Sequence, residues 1–400
     1  MDAVYITGSC RTPIGCKDGA FKDIPATTLA AIVFKESIRR SKIDPHLIDH
    51  VDLGNMLTTG LGPGTAWQAA FLAGLPEHIP TSSHEKRCGS GMEAVRIGWM
   101  RILAGTSRIN LVGGTENMTR APYYFRGVKI DKKQQSTTIP TANIKSVLWD
   151  DGLKCPFTGR VMGELAENCK LFINDTEYQY SREEMDFFTH RSYQLALEAQ
   201  AKGYFAKEIV PVRDPQLGPD SGYSLTEDEE PKKYDIVKIN NAESRYKKPD
   251  GLLTDVSSSK ISDGAASMML FSEDARLLYG ITPEARIIDI AESKCKPEEF
   301  SNEPINAVRK LNFDYKNADL FEVNEAFIKT EISFIRALNV DPAIVNVSGG
   351  AVALGHPLGA SGARIIVALI HNLKRLHKRY GIAAICIGGG EALAIALEVL

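Results

Sequence analysis

Apolar residues recur at helical spacing in two corresponding places along the chain. Each set lies just after a glycine-rich turn and repeats every three or four residues, which predicts an amphipathic helix in each half. The two sets are Met92, Val95, Trp99 and Ile102, then Ile366, Leu369, Leu373 and Leu376. Short apolar runs alternate with such helical patterns, and this alternation is typical of a layered α/β fold.

Two further stretches have clear patterns. "SREE" from Ser181 is a capping box, and the apolar residues after it predict a helix that stops near Gly203. Residues 381–400 are apolar enough to raise the question of a membrane span. Three glycines followed by Glu391 argue against a span, because a central charge costs about 2.5–3.5 kcal/mol in a bilayer. Two buried strands joined by a glycine turn are expected instead.

Comparison of the chain with itself indicates an internal repeat. "SIRRSKIDPHLI", "CGSGMEAV" and "VGGTE" in the first half match "FIRALNVDPAIV", "GASGARII" and "IGGGE" in the second half, in the same order. This predicts two related α/β halves at residues 1–120 and 265–400. The segment between them, residues 121–264, is rich in Pro, Gly and charge but contains the helix from Ser181, so we interpret it as a folded insertion.

Composition narrows the range of partners. The chain has 400 residues, 44% hydrophobic and 24% charged, with a formal net charge of -3. This balance gives no basic surface for nucleic acid and no reason to expect a membrane surface as partner. The seven cysteines are scattered without a Cys-x-x-Cys pair, which argues against a disulfide framework or a zinc site. It favours a reducing compartment, the cytoplasm.

Cys88 precedes a Gly-Ser-Gly turn at the start of the first repeated helix. The unpaired amides and the dipole of a helix N-terminus favour a thiolate, which is the reactive form of cysteine. A cysteine among small residues is also compatible with tight packing in a core. The string therefore suggests a nucleophile and leaves the structural alternative open.

Three further strings place polar groups beside glycines or at the ends of elements. His356 lies in "GGAVALGHPLGASGAR", Cys386 precedes the glycines of "CIGGGEA", and Asn324 in "VNEAF" is expected at the start of a helix. Because His356 and Cys88 occupy the same repeat unit, the pseudo-symmetry predicts that their loops share a face. Taken singly, the Cys386 and Asn324 strings are also compatible with a strand end or a helix cap.

Together the strings resemble the thiolase family. The set comprises Cys-Gly-Ser-Gly, Asn-Glu-Ala-Phe, Gly-His-Pro-Leu-Gly-x-Ser-Gly and Cys-x-Gly-Gly-Gly, and the likeness extends to "GLGPGTAWQAA", "GGTENMTRAPY", "MGELAEN" and "ISDGAA". The resemblance implies an α/β thiolase fold, with two pseudo-symmetric βαβ-type halves layered as αβαβα and an inserted loop domain. It also implies an acyltransferase that interconverts two acetyl-CoA with acetoacetyl-CoA and CoA, or one that cleaves 3-ketoacyl-CoA by thiolysis.

By this likeness Cys88 is the nucleophile that carries the acyl group, and His356 activates its thiol. Cys386 is the acid or base at the α-carbon of the substrate. One oxyanion hole consists of His356 and a water held by Asn324, and the other consists of the amides of Cys88 and Gly388. Neither a metal nor a cofactor is expected, since CoA acts as substrate and product.

The resemblance places CoA in the insertion. Met162 is expected near the acyl group, Ser259 on the pantetheine, and Lys232 and Lys233 near the nucleotide phosphate. For the two lysines, an ordinary solvated position in a charged loop is the alternative. The expected partners are acyl-CoA, CoA and further copies of the chain, because family members are commonly dimers or tetramers.

Several positions depart from the usual family pattern, and they cluster around the expected acyl and pantetheine sites. The departures are Trp67, Glu85-Lys86-Arg87, Val161, Val256 to Lys260, and Glu391-Ala392. Catalytic positions are unaffected by these changes. Valine in place of histidine at position 161 leaves an apolar wall, which predicts activity on acyl chains longer than that of acetoacetyl-CoA.

Three other classes of protein remain as alternatives. A decarboxylating ketoacyl synthase would use Cys-His-His or Cys-His-Asn, and Cys386 argues against it. In a cysteine hydrolase that used Cys88 and His356, the second cysteine would have no role. A non-catalytic CoA-binding protein is favoured only by the unusual residues around Cys88.

Overall fold

A computed structural model describes residues 3–125, 144–213 and 224–400 of the chain. The strands are β1 (Val4–Arg11), β2 (Gly15–Cys16), β3 (His50–Gly54), β4 (Thr81–His84), β5 (Ile109–Asn117), β6 (Tyr123–Tyr124), β7 (Lys145–Ser146), β8 (Phe172–Ile173), β9 (Thr176–Glu177), β10 (Val212–Arg213), β11 (Ser224–Leu225), β12 (Ser262–Ser272), β13 (Ala285–Lys294), β14 (Leu320–Val323), β15 (Tyr380–Ile387) and β16 (Glu391–Val399). The helices are α1 (Ala26–Ser41), α2 (Thr65–Ala73), α3 (Ser90–Leu103), α4 (Met162–Asn168), α5 (Arg182–Ala201), α6 (Ile236–Asn240), α7 (Glu273–Tyr279), α8 (Glu303–Lys310), α9 (Ile328–Leu338), α10 (Ala351–Leu354) and α11 (Leu358–Arg375).

Within the described ranges, ten strands form one sheet with the order β14-β15-β16-β13-β1-β12-β5-β3-β4, and β2 pairs with β12. β1 and β13 meet at the centre as an antiparallel pair. Outward from each of them come two antiparallel pairings and then a parallel one, through β12, β5 and β3 on one side and β16, β15 and β14 on the other. The predicted α/β fold with two pseudo-symmetric halves is confirmed.

β12 lies in the first half of the sheet, although it follows the insertion in sequence. It pairs with β1 and β5, so that Ser267 lies opposite both Cys10 and Gly113. The boundary expected at residue 265 falls inside this strand. β12 therefore completes the first half, and the second half begins with β13. Self-comparison by short strings could not place it, because the three matched strings of the first half all precede the insertion.

The helices form layers on both sides of the sheet halves. α3 packs against α11, and α11 contacts strands of both halves, so these two helices lie in the layer that the halves share. α1 and α2 pack together over the first half, and α8 packs on β13, β15 and β16. Both helices of the shared layer begin beside the glycine-rich turns that the periodicity predicted.

The described part of the insertion, residues 121–125, 144–213 and 224–264, is folded and contacts the second half. The helix predicted from Ser181 is α5, and the Ser181 hydroxyl accepts a hydrogen bond from the Glu184 amide at 3.1 Å. α5 ends before Gly203, whose φ is +67°. On its inner side, Arg191 forms an ion pair with Glu331 of α9 at 2.9 Å. The insertion therefore has a fixed position from which to contribute to a site.

Residues 381–400 form the buried hairpin of β15 and β16 that the glycine turn predicted. Each helix among the described residues is too short or too polar to span a membrane. Across the same ranges no cluster of three or more His, Cys, Asp or Glu side chains is arranged to hold a metal ion. All seven cysteines are free thiols.

Candidate active site

Two cavities lie side by side and share part of their walls. The first has a volume of about 430 Å³ and the second about 650 Å³. Residues that line both are Leu153, Met162, Ser259, Phe327, His356 and Leu358. Cys88 and Gly388 line the first cavity only, whereas Lys233 lines the second only. The two cavities therefore form a connected path that leads to the Cys88 thiol.

Cys88 is half-buried in a 3₁₀ turn, Arg87–Gly89, immediately before α3. The amide of Gly388, the charge of Arg87 and the amide of Cys88 itself each lower the thiol pKa. Burial outweighs these effects and raises the pKa of Cys88 to about 11. The amides therefore favour the thiolate, as expected, but desolvation penalises the charge more strongly and the thiol is the favoured form.

His356 is buried in the loop before α11, with its ring held at both nitrogens. Nδ1 lies 2.6 Å from the Ser361 hydroxyl, which itself donates to the Pro357 carbonyl at 2.9 Å. The hydroxyl must therefore accept from Nδ1–H, and this leaves Nε2 unprotonated, with its lone pair accepting from Asn324 Nδ2 at 3.4 Å. Burial and the nearby Arg364 lower the His356 pKa to about 3, so the ring is neutral at physiological pH.

Asn324 lies directly after β14 and four residues before α9 begins, so the expectation that it starts a helix is wrong. The strand-end alternative applies. Its Nδ2 is 3.4 Å from His356 Nε2, and Arg364 Nη2 donates to its Oδ1 at 3.3 Å. Asn324 is fully buried behind His356 and thus reaches the cavities through that ring.

Cys386 is fully buried near the end of β15, two residues before Gly388. Burial raises the pKa of its thiol, and the neighbouring Cys88 raises it further. The two cysteines therefore lie close enough to interact, although they come from opposite halves of the chain. Cys386 is not among the described residues that line either cavity.

Comparison with known proteins identifies this arrangement. The family model "Thiolase, N-terminal domain" matches residues 4–274, and "Thiolase, C-terminal domain" matches residues 281–399. The chain belongs to the thiolase family. It is an enzyme of the acyltransferase class.

Relatives of this thiolase match along almost their whole length. A probable acetyl-CoA acetyltransferase of Dictyostelium discoideum is 38% identical over 404 aligned positions, which cover 100% of this chain and 95% of the relative. The Acat5 thiolase of Ascaris suum, solved with coenzyme A, is 36% identical with a TM-score of 0.89 and 100% of both chains covered. Human mitochondrial 3-ketoacyl-CoA thiolase with CoA is 32% identical, with a TM-score of 0.89 and coverage of 100% and 98%.

The residues expected to contact CoA fall into two groups. Met162 and Ser259 line both cavities. Lys233 lines the second cavity and lies 3.2 Å from Glu230. Lys232 is exposed, pairs with Glu227 at 2.7 Å and lines neither cavity. The alternative of a solvated lysine therefore fits Lys232.

The departures from the thiolase pattern also separate in space. Glu85 lines the first cavity, while Val161 and Lys260 line the second. Burial lowers the Lys260 pKa to about 8, and its ammonium donates to three carbonyls of the turn that precedes Ser259. Trp67 is 57% exposed on α2 and lines neither cavity. Glu391 forms ion pairs with Lys86 and Arg87.

Sequence reasoning missed several residues of this thiolase site. Ser361, which fixes the His356 ring, lies within the quoted Gly-x-Ser-Gly string, so a signal was present. Lys238 and Arg245 add positive charge to the second cavity, and Tyr246 packs against Gly163 beside Met162. These three side chains lie in loops or a short helix without a periodic pattern. Only the folded insertion brings them to the cavity.

Proposed function

We propose that this thiolase interconverts acetyl-CoA with acetoacetyl-CoA and cleaves 3-ketoacyl-CoA through an acyl group carried on Cys88. The observation that supports this most directly is that Cys88 lies on the wall of the first cavity together with His356 and Gly388, and that the amides of Cys88 and Gly388 lower its pKa. A thioester carbonyl attacked by the Cys88 sulfur would place its oxygen near the same amides. Such donors stabilise the developing oxyanion.

In the acyl transfer step, the Cys88 proton passes to His356 Nε2 as the sulfur attacks the thioester carbon. The tetrahedral intermediate collapses, the C–S bond to CoA breaks, and the CoA sulfur takes the proton from His356. The neutral ring and its Nδ1–H bond to Ser361 suit this role, because Nε2 begins without a proton. The high Cys88 pKa makes a general base necessary.

In the condensation step, Cys386 acts as a thiolate; because burial favours its thiol, it must first give its proton to solvent. The thiolate removes an α-proton from a second acetyl-CoA, and the resulting carbanion attacks the acyl carbon. The Cys88 thiolate leaves and takes up a proton from solvent, and acetoacetyl-CoA is released. His356 and a water held by Asn324 would stabilise the enolate oxygen, since Asn324 lies against His356. The reverse sequence, with free CoA as nucleophile, is thiolysis.

We place the CoA moiety in the second cavity, with the pantetheine near Met162 and Ser259 and the phosphates near Lys233, Lys238 and Arg245. The chain then needs neither a metal nor a cofactor beyond CoA as substrate.

We also infer a cytoplasmic location from the free cysteines, and a dimer or tetramer from the exposed apolar side chains of α2, Trp67, Phe71 and Leu72. Sedimentation equilibrium tests the assembly.

The proposal is tested by incubation with acetyl-CoA alone, followed by mass mapping of the protein. We expect one acetyl group on Cys88, and neither acetylation nor thiolysis of acetoacetyl-CoA by Cys88→Ala. Cys155→Ala is the matched control, because Cys155 is another thiol on the wall of the same cavity. Acetylation at a different residue, or turnover by the Cys88→Ala variant, would contradict the proposal.

A further inference from the structure

Gly388 of the glycine turn 388–390 lines the first cavity beside Cys88, and its amide lowers the Cys88 pKa. The turn nevertheless consists of the residues with the greatest backbone freedom. Gly389 and Gly390 have φ values of +99° and +89°, in the left-handed region. An amide acts as a preorganised donor only if its position is fixed before the reaction. The turn therefore needs support from its surroundings.

Neighbouring groups pack against each glycine of the turn. A Cβ at Gly388 would come 2.9 Å from the Met162 sulfur, and one at Gly390 would meet the backbone of Cys295 and Lys296. At Gly389 the neighbour is the side chain of Arg87, whose guanidinium carbon would lie 3.7 Å from such a Cβ. The residue before the nucleophile therefore covers the middle of the turn.

An ion pair fixes Arg87 in this place. Its Nη2 lies 2.8 Å from Glu391 Oε2, and Lys86 Nζ lies 3.0 Å from the same oxygen. Glu391 is the first residue after the turn and pairs with Ile387 across the hairpin. Two consecutive cations of the nucleophile turn thus hold the residue that closes the glycine turn. Arg87 and Glu391 are both departures from the usual family pattern.

The backbone at Arg87 agrees with a positioning role. Its φ is +52°, a left-handed conformation that is uncommon for a residue with a side chain. Such strain persists only where surrounding contacts hold it. Lys86 is also paired with Glu292 of β13, and Lys294 lies opposite Glu391 in the sheet register. The nucleophile turn is therefore anchored to the rigid strands β13 and β16.

We propose that Arg87 and Glu391 are positioning residues that clamp the glycine turn onto the nucleophile turn and hold the Gly388 amide at the Cys88 sulfur. This inference rests on the proposed function and names residues that support it. It predicts that loss of either side chain weakens the oxyanion hole while leaving the second cavity intact. The turnover number should then fall more than the affinity for CoA substrates.

The kinetic test compares Arg87→Met, Glu391→Ala and the double variant with the native enzyme. We expect kcat for thiolysis of acetoacetyl-CoA to fall about tenfold in each single variant, with KM changed less than twofold, because displacing a donor costs less than its full removal. The loss of kcat in the double variant should be no larger than the loss in the less active of the two single variants, because both side chains act through one ion pair. Arg87→Lys keeps the positive charge that pairs with Glu391, so its kcat should lie between those of Arg87→Met and the native enzyme.

Lys294→Met is the matched control. Lys294 also contacts Glu391, at 3.4 Å, but it is the last residue of β13 and its side chain is 70% exposed. It should leave kcat unchanged. An equal loss in Lys294→Met, or additive losses in the double variant, would show that the charges act only on general stability and would overturn the clamp.

A second measurement follows alkylation of Cys88 by iodoacetamide from pH 8 to 12.5, with peptide mapping and with circular dichroism to confirm that the protein stays folded. The rate plateau reports access to the thiol and the midpoint reports its pKa. The groups that face Cys88 are Arg87, Glu116, His356 and Cys386. Removing the negative charge of Glu391 would by itself lower the midpoint. The clamp predicts the opposite sign, since the Gly388 amide moves off the sulfur.

A raised midpoint in Glu391→Ala supports the clamp, and an unchanged or lowered midpoint overturns it. This measurement does not depend on catalysis. If the native protein fails to cleave acetoacetyl-CoA, the proposed function is wrong, and the alkylation midpoints still decide whether the clamp exists. The two failures are therefore distinguishable.

Discussion

At the scale of single residues, the site separates two thiols that have similar chemistry. Cys88 lines the first cavity, whereas Cys386 is fully buried beside it. Acyl transfer needs only a nucleophile at the thioester, while condensation needs a base at the α-carbon. The placement of the two cysteines agrees with this division of labour.

Cys386→Ser should therefore separate the two half-reactions. We expect Cys88 still to be acetylated by acetyl-CoA, while condensation falls about 10²-fold or more, as is typical when a general base is lost. Acetylation is followed by intact mass and condensation by the absorbance of the acetoacetyl-CoA enolate. Equal losses in both half-reactions would rule out separate roles.

The pH dependence of Cys88 reactivity is a second prediction at this scale. The thiol pKa is raised to about 11 and the His356 pKa is lowered to about 3. The alkylation rate of the native protein should therefore rise steadily from pH 6 to 10, because thiolate is lost as pH falls below the raised pKa. It should show no step near pH 6.5 from histidine. Such a step, removed in His356→Ala, would indicate a charged histidine instead.

At the scale of elements, a short turn decides which lysine faces the cavity. Lys232 and Lys233 end a 3₁₀ turn, Glu230–Lys233, in which neighbouring side chains point about 120° apart. One lysine therefore meets the second cavity while the other meets Glu227 and solvent. From the sequence alone, Lys232 and Lys233 were both expected near the nucleotide phosphate.

We accordingly expect Lys233→Ala to raise KM for CoA about threefold to fivefold, the range for an exposed ion pair with a phosphate, while kcat stays unchanged. Lys232→Ala is the matched control and should change neither constant. Steady-state thiolysis at varied CoA concentration measures both. Equal effects of the two variants would place the phosphates elsewhere.

At the scale of the whole molecule, the cavities bear on substrate length. The first cavity has apolar walls from several parts of the chain, including Met56, Leu153, Phe157, Phe300 and Leu358. Each methylene buried there is worth about 0.8 kcal/mol, or close to fourfold in kcat/KM. Val161, which the sequence suggested as the apolar wall for longer acyl chains, lines the second cavity and not the first. The apolar surface of the first cavity comes from the other residues named above.

We expect six-carbon and eight-carbon 3-ketoacyl-CoA substrates to be cleaved at rates comparable with acetoacetyl-CoA. Met56→Phe, which narrows the first cavity, should lower kcat/KM for the longer substrates more than for acetoacetyl-CoA. Trp67→Ala changes an aromatic residue outside both cavities and should leave that ratio unaltered. Strict preference for acetoacetyl-CoA in the native enzyme would contradict the prediction.

The amino-acid sequence determined the elements and the main chemical groups of this protein. Periodicity is a local property, so the helices after the two glycine turns, the capped helix from Ser181 and the hairpin at residues 380–399 could all be predicted. The nucleophile turn, His356 and Cys386 stood out because glycines accompany reactive side chains in strings that resemble the thiolase family. These signals depend on neighbours in sequence.

Tertiary structure decided what depends on neighbours in space. β12 joins the first half because its partners are β1 and β5, which lie far from it along the chain. The raised Cys88 pKa results from burial, which no local pattern contains. The pairing of Arg87 with Glu391 joins residues about 300 positions apart, and the lysine that faces the cavity is set by the orientation of one turn. Desolvation, ion pairs and side-chain direction are properties of the packed chain, and here they set the chemistry of the site.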